Sequence, residues 1–109
     1  MNYFPKYSPA EKELFRIEHQ KGMIKNSVDW FSHLMTIELM KHLNRPGWKH
    51  ECIAYLKDRL GEEIAELCDA IESNQPKNVI EKEAADVANF AMMIADVYRE
   101  HHKPNKELK

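Results

Sequence analysis

Residues 76–101 read PKNVIEKEAADVANFAMMIADVYREH, and this stretch decides the fold. On a helical wheel at about 100° per residue, Ile80, Val87, Phe90, Ile94, Val97 and Tyr98 form one stripe. Glu83 falls in the middle of that stripe, Asp86 at one edge and Asn89 one step further round. Ala84, Ala85, Ala88, Ala91, Met92 and Ala95 cover most other faces. A helix apolar nearly all round has to be buried on several sides. In a chain of 109 residues that points to a second subunit. An acid inside a core stripe is costly to bury unless it is paired, protonated or bound to a metal.

Working backwards, Ser73-Asn74-Gln75-Pro76 breaks the chain before this helix, whose start is expected near Pro76 or Asn78. The preceding helix is expected from near Trp48 to about Glu72. Its stripe is Ile53, Leu56, Leu60, Ile64, Leu67 and Ile71. Glu63 and Glu66 lie on the shoulder, with the small residues Cys52 and Ala70 beside them, and Glu62 lies almost opposite. A second helix is expected from Ser27, as N-cap, to Leu43, ended by Asn44-Arg45-Pro46-Gly47. A first runs from Pro9, after Ser8, to Lys21, with Gly22 as its stop. Residues 1–9 read as an arm and residues 102–109 as a fraying polar tail. The expectation is one domain over residues 1–109. Residues 1–22 form an arm and short helix, and residues 27–101 a helical core. The fold class is all-α, an antiparallel helical bundle completed by oligomerisation.

Composition agrees. The chain is 43% apolar and 31% charged, with only three Gly and five Pro, which favours helices over a many-turned sheet. Sixteen basic and 18 acidic residues give a net charge of −2, so no nucleic-acid or anionic-membrane partner is expected. Cys52 and Cys68 make neither a disulfide framework nor a zinc knuckle. The longest apolar run, Phe90 to Ala95, is far short of the roughly 20 residues that span a bilayer. No secretory pattern is visible, and the expected setting is a reducing cytoplasm.

Glu63-Ile-Ala-Glu66 is an ExxE and Glu83-Ala-Ala-Asp86 an ExxD. The i,i+3 spacing puts both acids of each pair on one helix face. With the Pro76 break between them, the two helices become antiparallel neighbours and present all four carboxylates to one space. Either motif alone is ordinary solvated charge. Together they repel unless a cation holds them, and hard oxygen ligands suit Mg²⁺ or Mn²⁺. Mg²⁺ keeps waters and takes phosphate oxygens, so a phosphate-bearing substrate is expected.

Trp48, the segment with Leu60, Glu63-Ile-Ala-Glu66-Leu-Cys-Asp-Ala-Ile71, and then residues 78–96, NVIEKEAADVANFAMMIAD, resemble the MazG-like branch of the all-α nucleoside triphosphate pyrophosphohydrolases. The resemblance covers roughly residues 28–98. It implies Glu63, Glu66, Glu83 and Asp86 as Mg²⁺ ligands and catalytic residues. It also implies hydrolysis of an NTP or dNTP to the monophosphate and pyrophosphate, a house-cleaning role in the nucleotide pool, and a homo-oligomer, dimer or tetramer. Glu63 is the candidate to orient the attacking water.

Substrate-binding candidates are Trp48, Lys57, Lys82 and Asn89, with Arg45 and Lys49 as further cations. Trp48 could stack on a base or close the helix entrance. Asn89 needs a partner, from a ligand or a neighbouring helix. Glu38 and His42 could face the acids, although an exposed polar face is the simpler reading. Two other functions compete. A di-iron bundle needs Glu-x-x-His on two helices, and none of the six histidines has Glu three residues before it. A non-catalytic helical oligomer acting as an interaction module explains the apolar last helix but not Glu83.

Overall fold

The computed structural model describes residues 6–102. Three helices follow in order: α1 (Pro9–Met40), α2 (Ile53–Glu72) and α3 (Lys77–His101), with no strand among the described residues. The chain divides into two compact units, one ending at Ser32 and the other beginning at His33.

In the first unit, Ser8 caps α1 as expected. Glu11 N–H donates to Ser8 Oγ at 3.1 Å, and Ser8 N–H donates back to Glu11 Oε1 at 3.0 Å. This reciprocal pair satisfies two orphan donors of the first turn. The expected stop at Gly22 and restart at Ser27 do not occur, because α1 runs through both. A glycine ends a helix by turning left-handed, and no glycine here has positive φ. Its helical cost is about 1 kcal/mol relative to Ala. Ion pairs Glu18–Lys21 and Lys25–Asp29 flank it on the helix surface and offset part of that cost.

The second unit holds the last turns of α1, the 41–52 connection, α2 and α3. The helix expected to reach Leu43 ends at Met40 with i→i−3 bonds, Lys41 N–H to Glu38 O and His42 N–H to Leu39 O. The helix expected from Trp48 starts at Ile53, because Cys52 is still extended and the Trp48 and Lys49 side chains are tied to Asp96 of α3. Those ties join the segment before α2 to the end of α3, whereas the acids of mid-α2 meet those of early α3. The two helices therefore run antiparallel, packed on one another.

Between them, α2 ends in a Schellman turn. Gln75 N–H donates to Ala70 O and Asn74 N–H to Ile71 O, with Asn74 at φ 55°. Pro76 follows and prevents the helix from resuming earlier.

The buried line of α2 is Leu56, Glu63 and Ala70, with Leu60 and Leu67 half-buried between them. This alternating four-and-three spacing is that of a coiled-coil seam. The expected stripe is thus corrected: Ile64 and Ile71 are exposed, and the contact has moved onto the shoulder that carries Glu63. Ala70 of α2 and Ala85 of α3 are both buried, Ala85 fully. On α3, Val97 is fully buried, Ile80, Val87, Phe90 and Ile94 are half-buried, and Tyr98 is exposed. Leu56, Ala70, Ala85 and Val97 are the only buried apolar residues among those described. Ala91 and Ala95, expected to be covered all round, are exposed in the single chain.

Candidate metal centre

The antiparallel pairing brings the two acidic motifs together. One carboxylate oxygen from each of Glu63, Glu83 and Asp86 lies within 4.8 Å of the others. Glu63 is buried, and Glu83 and Asp86 are half-buried. Glu66 is exposed and outside this group of three, yet it lines the same cavity of about 240 Å³ as Glu63 and Asp86.

The carboxylates are poorly satisfied. Glu63 Oε2 and Glu83 Oε2 are buried with no hydrogen-bond partner. Burial, then the neighbouring Glu66 and Asp86, push the Glu63 carboxyl up to about 7, against a smaller opposing pull from Arg59. Burial also raises Glu83, with Lys82 acting in the other direction. A polar atom buried without a partner carries a full desolvation cost. A divalent cation would supply the missing partner. The donor set is all hard oxygen, which fits Mg²⁺ or Mn²⁺.

Two cations attend the acids, each one helical turn before its partner. Lys82 Nζ donates to Asp86 Oδ2 at 2.8 Å and lies 3.7 Å from Glu83 Oε1. Arg59 Nη2 donates to Glu63 Oε1 at 2.8 Å. Lys82 was expected to meet substrate and is here bound to the acids. Arg59 was missed by sequence reasoning, although Arg at i−4 from an acid is a recognisable helical pair.

The remaining candidates separate clearly. Asn89 is buried at 3% exposure; its Nδ2 donates to Met35 O at 3.0 Å, while Oδ1 is buried and unpartnered. It lines the acid cavity, as do Glu38, His42 and Arg45. The exposed reading of Glu38 is corrected: it is buried, and its carboxylate accepts from Lys41 at 2.6 Å. Lys57 is exposed and does not line the acid cavity, so the structure does not bring it to the acids. Lys49 is committed to Asp96 at 2.6 Å.

Trp48 donates its indole N–H to Asp96 Oδ2 at 2.9 Å. It lines a second, largely apolar cavity of about 580 Å³ with Tyr55, Leu56 and Phe90. Leu39, His42, Arg45, Phe90 and Met93 line both cavities, so the two adjoin. Asp96 was not singled out from the sequence. Its signal was an acid flanked by the apolar Ala95 and Val97 at the end of α3.

No family model, curated protein or solved structure matches the chain.

Proposed function

We propose that the chain is a Mg²⁺-dependent nucleoside triphosphate pyrophosphohydrolase, acting on an NTP or dNTP as a homo-oligomer, as its resemblance to the MazG-like enzymes implies. The observation that carries this reading is the convergence of Glu63, Glu83 and Asp86 from two helices, with two of their buried oxygens unpartnered.

Glu63, Glu66, Glu83 and Asp86 would hold the ion. When bound, Mg²⁺ or Mn²⁺ offsets triphosphate charge and makes bound water more acidic. Glu63, which lines the cavity from α2, is the acid proposed to orient the attacking water and accept its proton. The water oxygen bonds to the α-phosphorus, the bond from that phosphorus to the bridging oxygen breaks, and pyrophosphate leaves. The apolar cavity beside the acids suits a base, with Trp48, Tyr55 and Phe90 as aromatic walls.

The exposed Ile64, Ile71 and Tyr98 supply the apolar surface for association. They suit a non-catalytic helical oligomer equally well, but that reading gives the unpartnered acid oxygens no role. The experiment is release of pyrophosphate from a panel of NTPs and dNTPs, with Glu83→Gln as control. Orthophosphate as the only product would exclude attack at the α-phosphorus. Full activity in Glu83→Gln would exclude the metal assignment.

A further inference from the structure

We infer that Arg59 is a polyphosphate-binding residue held in reserve by Glu63, and that it becomes available when Glu63 turns to a bound divalent cation. This rests on the metal-site reading above.

Arg59 has three holds of different kinds. Its Nη2 donates to Glu63 Oε1 at 2.8 Å, its Nη1 donates to Glu62, and its guanidinium lies over the Phe90 ring of α3, 5.1 Å from the centroid. Only the first hold is to a member of the acid group. Glu62 is exposed and is not a member of that group; Phe90 belongs to the opposite helix. If Glu63 is drawn to a cation, the guanidinium keeps Glu62 and Phe90 and stays where it is. It then presents the donors that Glu63 has released, together with those not used before, since a guanidinium carries five N–H groups.

What those donors face is the acid cavity. Arg59 lines it with Glu63, Glu66, Lys82 and Asp86. A planar fork of donors beside a divalent-cation site matches two oxygens of a phosphate. Lys82 differs in this respect, because Asp86 and Glu83 themselves hold it. It neutralises the acids and competes with the cation, whereas Arg59 has anchors outside the group.

The arrangement makes opposite demands on two ligands. Removing the guanidinium frees Glu63 and leaves the acids more negative, so a cation binds more tightly. The same change removes a phosphate contact, so an anion binds less tightly. A residue that only stabilises α2 would weaken both.

The test measures both affinities on the full chain, using Mn²⁺ alone and inorganic pyrophosphate in saturating Mg²⁺. Arg59→Met is expected to bind Mn²⁺ several-fold more tightly than wild type and pyrophosphate at least tenfold more weakly. Arg59→Lys, which keeps the charge and loses the fork, is expected to hold wild-type Mn²⁺ affinity within about twofold and to lose several-fold on pyrophosphate. Weakening of both ligands in Arg59→Met, or a change in neither, overturns the inference while leaving the metal site intact. Should Arg59→Met not fold, unchanged pyrophosphate affinity in Arg59→Lys overturns it equally. Failure of wild type to bind Mn²⁺ overturns the metal-site reading, and this inference with it.

Discussion

The buried Asp96 carboxylate of α3 accepts the Trp48 indole N–H at 2.9 Å, and so pins the segment ahead of α2 to the far end of α3. Lys49 and Arg99 donate to the same carboxylate. Lys49, then Trp48, hold the Asp96 carboxyl well below the usual carboxylate range. Replacing Asp96 by Ala leaves the indole N–H without its acceptor and frees the wall of the apolar cavity. The variant is expected to unfold at a lower urea concentration than wild type. Trp48 fluorescence should shift to the red in the native baseline. Because the folded pKa is depressed, this contribution is complete above the unfolded value near 4 and fades as pH falls further.

Glu63 behaves in the opposite sense. Burial and its acidic neighbours push its carboxyl up to about 7 in the metal-free protein. Between about pH 4.5 and 7 the folded state binds a proton that the unfolded state has lost. Metal-free stability should therefore fall as pH rises through that window. Thermal melts in chelator at pH 5 and pH 8 check this. Added Mg²⁺ should restore the lost stability at pH 8 and do little at pH 5, where a proton occupies the site.

Glu63→Gln isolates that charge. The variant should reduce the pH dependence of the metal-free melt, since one of the two acids raised by burial is gone. It should also weaken Mn²⁺ binding by at least tenfold, measured by the signal of the free ion. A reduced pH dependence with undiminished Mn²⁺ affinity would separate the electrostatic account from the metal assignment.

The exposed Ile64 and Ile71 lie one above the other on α2, seven residues apart. They are expected to be covered in the oligomer. Light scattering should give a mass of two or four chains, and Ile64→Lys should move it toward one. A monomeric wild type at micromolar concentration would remove the oligomer from the account.

The helical class, the Ser8 cap, the break before Pro76 and the pairing of the two acidic motifs were legible in the sequence. Each is set by neighbours close in the chain or by helical spacing. The face that α2 presents was not. Hydrophobicity favoured Ile64 and Ile71, but the buried line of α2 runs through Leu56, Glu63 and Ala70 instead. Continuity of α1 through Gly22 was also hidden, because a glycine is free either to turn left-handed and end a helix or to stay helical, and the sequence does not say which. In the site, Glu63, Glu83 and Asp86 were readable from their spacing. The Asp96–Trp48 tie was not, since it joins residues far apart in sequence that no local pattern couples.

Identification of the products of hydrolysis decides whether the chain attacks the α-phosphorus. Incubated with the NTP and dNTP panel in Mg²⁺, the wild-type chain should release pyrophosphate and monophosphate in equal amounts from at least one nucleotide. Chelator should abolish the release, and Glu83→Gln should reduce it by at least a hundredfold. Release of orthophosphate alone, or pyrophosphate release that survives both the chelator and Glu83→Gln, would contradict the account.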